Sequence, residues 1–257
     1  MTFPPPHEGP PPRHLDEEEQ MHRHFAQEIV SAGGGTTSWL NHWSLMHANW
    51  AALSAMDRVG FDGTFLQLAL YRAGHHVHRT SADLVLPHVL HDLLPEGSRI
   101  VVVGAAPGVA QQASKRMGPH DIRSFDGYGQ LREIRAHPQE IIDFAPRLIL
   151  VGLGAGLQEE VAAELHAACP QAMVCTVGGW IDQLARSEHY FPRWVHKLRL
   201  GWAWRILHEP RRVLRRYTID ALRFSRKSRS LIAKVEALGP WDEYAVYPKK
   251  PSDTNAQ

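Results

Sequence analysis

Cysteine is nearly absent from the sequence: Cys169 and Cys175 are the only two in 257 residues. A disulfide framework is therefore excluded as the basis of the fold, and a reducing compartment is the natural expectation. Long apolar runs are missing as well. Nothing approaches the ~18–20 apolar residues of a membrane span. The N-terminal MTFPPPHEGPPPRHLDEEEQ lacks the apolar centre of a signal peptide. Seventeen histidines are present, with His75, His76 and His78 clustered in GHHVHR and His22 and His24 upstream. Neither HExxH nor a paired Cys/His spacing accompanies them, so no specific metal role is expected. GxGxxG is absent too; the nearest match is GAAPG at 104–108.

What is present is enough for a packed α/β domain: 44% of residues are hydrophobic. Residues 1–14 and 249–257 read as disordered tails, 15–190 as the main domain and 191–248 as a helical appendage. The formal net charge is only +1, yet the charge is unevenly spread. Between Arg193 and Arg229 stand twelve basic side chains against Glu209 and Asp220. The remainder of the chain is net acidic. Such a local excess points to an anionic partner: nucleic acid, lipid headgroups or a diphosphate.

The middle of the chain alternates strand and helix patterns. Strands are expected at 98–105, 121–129, 146–154 and 172–179, and helices at 107–117, 137–145 and 157–169. This order implies a parallel, Rossmann-like sheet flanked by helices. Each strand runs into glycine, which places Gly104, Gly154, Gly178 and Gly179 at the carboxyl edge where open α/β sheets bind ligands. Upstream, helices are expected at 15–31, 44–56, 62–74 and 80–94, with DRVGF as a short strand. Thr80 and Asp83 have the spacing of a capping box, and Pro87 is placed to kink its helix. Asp62, between DRVGF and the next helix, reads either as an N-cap or as a partly desolvated general base.

Residues 191–235 read differently. Trp194, Leu198, Trp202 and Ile206 recur every four residues, Pro210 ends that helix, and Val213 to Leu222 continue an amphipathic pattern with an arginine-rich opposite face. Two readings stand. One is an interfacial membrane helix pair; the other is a hairpin packed on the core with a solvated basic face.

In order along the chain, these segments resemble the WecG/TagA/CpsF glycosyltransferase family from about Thr37 to Tyr217. SWLNHWSLMHA carries its asparagine segment at Asn41, and DRVGFDGTFLQLAL its aspartate-glycine segment at Asp62. HRTSADL matches at Arg79, Thr80 and Asp83, with Ser81 in place of a glycine. VVVGAAPGVA, DGYG, VGLGAGLQEE and VGGWID resemble the nucleotide-sugar half, including Gln158–Glu159. LGWAWRILHEPRRVLRRY resembles the closing signature at Trp202, Arg205, Pro210, Arg212, Arg215, Arg216 and Tyr217. The sequence departs from the family at Gly201, Gly156 and Leu157, and ARSEHYFPRW lacks the usual arginine-alanine-proline.

The resemblance implies an inverting transfer of a sugar from a UDP-sugar to a lipid-linked acceptor, feeding bacterial surface polysaccharides such as exopolysaccharide. It implies no cofactor and no required metal, and a cytoplasmic enzyme held peripherally on the inner face of the membrane. It is compatible with a homo-oligomer and implies no nucleic-acid partner. Asp62 would be the base; Thr37 and Asn41, with Arg79 and Asp83, would line the cleft. Tyr128 and Asp182 would hold the nucleotide and Gln158 the diphosphate. Trp194 and Trp202 would seat in headgroups, while Arg205, Arg212, Arg215 and Arg216 face phosphates. The glycine turns alone would equally suit a dehydrogenase or methyltransferase, and the basic helices alone a nucleic-acid-binding module.

Overall fold

The structure, a computed structural model, describes residues 17–187, 201–208 and 214–250. Among the described residues, seven strands form one sheet: β1 (Gly35–Leu40), β2 (Arg58–Phe61), β3 (Arg99–Gly104), β4 (Asp121–Phe125), β5 (Leu148–Gly152), β6 (Met173–Thr176) and β7 (Ala245–Val246). Their order across the sheet is β4-β3-β5-β6-β1-β2-β7. Every neighbouring pair is parallel except β2 and β7.

Both faces of this sheet are covered, which is why its central strands β3 and β5 read as continuous apolar runs rather than alternating ones. Val101, Val103, Ile149 and Val151 belong to one core layer, while Ile100, Val102, Leu148 and Leu150 belong to the other. The second layer holds α1 (Glu17–Ser31) through Phe25 and Ile29, α5 (Ala82–His88) through Val85 and Leu86, and α6 (Val109–Ser114) through Ala110 and Ala113. The first layer holds α4 (Thr64–Arg72), α7 (Gly129–Ala136), α8 (Gln139–Phe144) and α9 (Leu157–Ala168). No helix among the described residues is long and apolar enough to cross a membrane.

Several local expectations are corrected. GGGTTSWLN contains β1, which six small or β-branched residues and glycines had obscured. The 44–56 helix is two, α2 (Ser44–His47) and α3 (Trp50–Ser54). Ala48 is extended, and Asn49 restarts the chain as an N-cap whose side chain accepts the Ala52 N–H. The expected 107–117 helix is shortened to α6 behind Gly108, which adopts a left-handed φ of 84°. The Thr80/Asp83 capping box does not form. Buried Thr80 donates its hydroxyl to the Tyr244 carbonyl and accepts the Phe61 N–H, while Asp83 turns to Arg79. After Pro87 the helix widens into a π-helical turn, Val89–Leu93. The pattern reading also missed α7, in the polar stretch after Tyr128.

Near the C-terminus, α11 (Gly201–His208) and a π-turn (Arg216–Asp220) lead into α12 (Ala221–Glu236). The apolar face of α12, with Phe224, Leu231, Ile232 and Val235, lies in the same core layer as Leu66 and Leu70 of α4. Within 221–236 the buried face is this one, while Leu222, which the sequence pattern put on the apolar face, is exposed. In and before α12, Leu207, Leu214, Ile219 and Leu222 stay at least half exposed. Ordered contacts extend to Lys250, which pairs with Asp57. The expected tails, Trp194, Pro210 and Arg212 lie wholly or largely outside the described residues.

Candidate active site

The carboxyl edge of the sheet carries the chemistry. The connection leaving β3 runs to β4, while that leaving β5 runs to β6, in opposite directions across the sheet. A crevice between the ends of β3 and β5 is the expected consequence. Gly104 makes it possible: a Cβ there would lie 2.2 Å from the Gly152 carbonyl oxygen, so only glycine allows the two strand ends this close. Over this crevice lies a broad cavity of about 1570 Å³, including its open mouth, lined by Gly127, Tyr128, Gly154, Gly178, Gly179 and Asp182. Arg215, Arg216 and Arg223 line it from the C-terminal segment.

A narrower cavity of about 630 Å³ adjoins it, sharing Trp43, Gly154, Gly178, Gly179 and Arg216. It extends to Asn41, Asp62, Asp83, Gln158 and Arg205. A third, of about 500 Å³, shares Asn41, Asp62, Arg205 and Arg216 with the second and continues past Arg79, Phe65, Trp202 and Tyr217. Asp62 and Arg205 therefore stand at the junction of the second and third cavities, and Arg216 borders all three.

Asp62 follows β2 directly, and its N–H is anchored on the Leu40 carbonyl at 2.7 Å. It is not the N-cap of α4; that position is Gly63, with φ 82°. The Asp62 carboxylate is thereby left to the cleft, where Oδ1 accepts from Arg79 Nε at 3.3 Å. Arg79 also donates to both oxygens of Asp83, each at 3.3 Å. Burial works against the Arg79 charge, but Asp83 and Asp62 outweigh it and hold its pKa above the ordinary arginine value. His22 fixes the backbone here, donating to the Arg79 carbonyl at 2.7 Å. Arg205 is in a similar position: burial opposes its charge, and Tyr217, Asp62 and Asp83 more than restore it.

Asn41 organises the loop after β1. Its Oδ1 accepts the Trp43 and Ser44 N–H groups and Arg216 Nη2, all at 3.0 Å. The Arg216 guanidinium also sits 4.9 Å from the Trp43 ring centroid, and Trp43 stacks on His47. Behind them, His42 is buried among Phe65, Tyr217 and Phe224, near the Arg216 carbonyl. Burial pushes its pKa down to about 4.

Of the residues expected from sequence, this edge brings together Asn41, Asp62, Arg79, Asp83, Tyr128, Gly154, Gln158, Gly178, Gly179, Asp182, Trp202, Arg205, Arg215 and Arg216. Thr37 is corrected: it sits inside the sheet between Arg58 and Cys175, 1% exposed, and lines none of these cavities. Gly104 shapes the edge without lining it. Sequence reading passed over Trp39, Trp43, Ser81, Gln183 and Arg223, which line the cavities. Trp39, Trp43, Ser81 and Gln183 carried little signal beyond standing one or two places from residues already singled out, while Arg223 belongs to the basic cluster counted above. Two of the GHHVHR histidines are individually engaged: His75 with Glu236 and Trp241, His76 against Tyr71.

A doubly covered, mostly parallel sheet whose glycine-rich edge gathers arginines beside an aspartate has the build of an α/β ligand-binding edge. The comparisons narrow the class. Residues 13–235 match the Glycosyl transferase WecG/TagA/CpsF family, and the chain belongs to that family. It is also similar to the UDP-Gal:alpha-D-GlcNAc-diphosphoundecaprenol beta-1,4-galactosyltransferase of Shigella boydii, 26% identical over 200 residues, which cover 74% of this chain and 84% of that protein.

Proposed function

We propose that the protein is an inverting glycosyltransferase that moves a hexosyl-type sugar from a UDP-sugar to a polyprenyl-diphosphate-linked saccharide. The observation that carries this reading is the order of the three cavities, with Asp62 at the junction of the second and third. The nucleotide lies across the glycine edge, its base against the exposed Tyr128 ring and its ribose near Asp182. The diphosphate meets Arg215, Arg216 and Arg223, which supply the bidentate donors phosphate favours. The donor sugar then occupies the middle cavity, and the acceptor enters past Phe65 and Trp202.

Asp62 takes the proton of the acceptor hydroxyl. That oxygen forms a bond to the anomeric carbon as the bond to the β-phosphate breaks on the opposite face, so the configuration inverts. The electron pair leaves on UDP, whose growing charge the arginines stabilise. Cation charge from side chains fills the role a divalent metal would otherwise have, so we propose metal-independent transfer.

We further propose that the protein attaches peripherally to the inner face of the cell membrane. Support comes from the exposed Leu207, Leu214, Ile219 and Leu222 beside exposed Arg215, Arg223, Arg226 and Lys227, a mixture that suits an anionic headgroup layer. The relative named above acts on a diphosphoundecaprenol-linked sugar, which such a surface would present. The test is transfer from UDP-sugars to a polyprenyl-diphosphate-linked GlcNAc acceptor, alongside equilibrium binding of UDP, NAD and S-adenosylmethionine. UDP binding with sugar transfer supports the reading. Binding of NAD or S-adenosylmethionine in preference to UDP refutes it.

A further inference from the structure

Among the described residues, ten buried side-chain polar atoms have no hydrogen-bond partner in the protein. Four of them belong to uncharged residues lining one place, the middle cavity: Trp39 Nε1, Ser81 Oγ, Gln158 Oε1 and Gln183 Nε2. Each of these residues is under 7% exposed. Burying a polar group without a partner is costly, so such groups are normally few and scattered. Gathered at one cavity, they call for a ligand that both donates and accepts at several points.

Their local settings show that the vacant bonding capacity is built in. Ser81 stands at the N-cap of α5, where a serine hydroxyl ordinarily bonds the first helical turn, yet it makes no cap bond. Gln158 has its amide orientation fixed. Its Nε2 donates to Glu159 Oε1 at 3.0 Å, and fully buried Glu159 is held in turn by the Gly156 N–H. The free end of Gln158 is therefore an acceptor. An acceptor is repelled by phosphate oxygens, which have no proton to give, so Gln158 does not suit the diphosphate role the sequence suggested. It suits a hydroxyl. Gln183, on α10 (Trp180–Arg186), offers the complementary donor.

We propose that Ser81, Gln158 and Gln183, with the Trp39 indole, form the subsite that reads the hydroxyl groups of the donor's sugar ring, and that Gln183 and Ser81 set which sugar is accepted. This rests on the transferase reading above. The middle cavity lies between the nucleotide cavity and Asp62, so its occupant is the group being transferred. A neutral polyhydroxyl ring matches a mixed set of donors and acceptors that carries no charge. Sites built on such hydrogen bonds discriminate strongly, because a missing or epimeric hydroxyl strands buried protein groups.

The test is equilibrium binding of UDP, UDP-glucose, UDP-galactose, UDP-xylose and UDP-N-acetylglucosamine to the wild type and to Gln183→Leu, Ser81→Ala and Gln158→Met, with thermal melting of each. The wild type should bind one UDP-sugar well above the others. Each variant should lose roughly 10- to 100-fold in affinity for that sugar, about the value of one or two hydrogen bonds. It should also narrow the gap to at least one single-hydroxyl analogue. Affinity for UDP itself should change less than about twofold. Melting temperature should hold or rise in Ser81→Ala and Gln183→Leu, where an unpartnered buried group has been removed, whereas Gln158→Met also takes a donor from buried Glu159 and is read by its ratio of UDP-sugar to UDP affinity. Unchanged sugar preference, an equal loss for UDP and every UDP-sugar, or a fall in melting temperature in Ser81→Ala and Gln183→Leu that accounts for the loss would overturn the proposal. If the wild type binds UDP yet these outcomes appear, this subsite alone fails. If the wild type binds no UDP, the transferase reading fails and takes the subsite with it.

Discussion

Asp62→Asn separates ionisation from shape. Asparagine has the same size and keeps an oxygen for Arg79 Nε. The 2.7 Å bond from the residue-62 N–H to Leu40 is main-chain and survives. Helix α4 is capped by Gly63, so no cap is lost. Arg79 retains its two 3.3 Å contacts with Asp83. The ion pair given up is partly solvated, with the Asp62 side chain 26% and the Arg79 side chain 18% exposed. Because both side chains are mostly buried and Asp62 also supports the Arg205 charge, its loss should cost about 1–3 kcal/mol, or roughly 2–12 °C of melting temperature in a domain of this size. The kinetic effect is separate. Loss of a general base lowers turnover by roughly 10²–10⁴, about 2.7–5.4 kcal/mol of transition-state stabilisation. UDP release with a polyprenyl-diphosphate-linked GlcNAc acceptor, measured beside UDP affinity and a melting curve, gives all three quantities on one preparation. Turnover within about threefold of wild type in a folded variant would refute the base. A loss of UDP affinity that parallels the loss of turnover would make Asp62 a nucleotide contact instead.

Arg216→Lys removes the planar fork that bonds Asn41 and lies over Trp43; kcat/KM for the donor should fall roughly 10- to 100-fold, and full activity in this variant would show that charge alone suffices. His42 has its pKa pushed from 6.5 to about 4 by burial, so between those values the unfolded chain binds the extra proton and the folded one does not. Stability should thus be complete above pH ~6.5 and fall by about 3 kcal/mol on acidification to pH ~4; His22, also lowered by burial, acts in the same direction. Chemical denaturation across that range checks it, and a slope no smaller in His42→Phe would remove His42 as its source. Transfer should persist in EDTA; abolition by EDTA with recovery in Mn²⁺ would move the phosphate-neutralising role from the arginines to a metal.

By itself, the sequence determined the features that depend on neighbours along the chain. The apolar runs at 100–103 and 148–151 and the glycines after them specify buried parallel strands and an open edge, because strand propensity and turn geometry are local. Asp62 was legible for the same reason, as a carboxylate directly at a strand exit. The amphipathic pattern from Val213 to Leu222 marked a helix but left two surfaces equally able to cover its apolar side. The helix that packs on the core is Ala221–Glu236, and only the fold decided that α4 covers it. Tertiary structure also decided what required residues far apart in sequence to meet. Thr80 carries a capping signal, yet a carbonyl 164 positions away claims its hydroxyl. Arg216 reaches Asn41 across 175 positions. Ser81, Gln158 and Gln183 share no spacing, and a missing hydrogen bond leaves no trace in a residue's letter. Their convergence on one cavity exists because the helices after β5 and β6 and the start of α5 meet at one sheet edge.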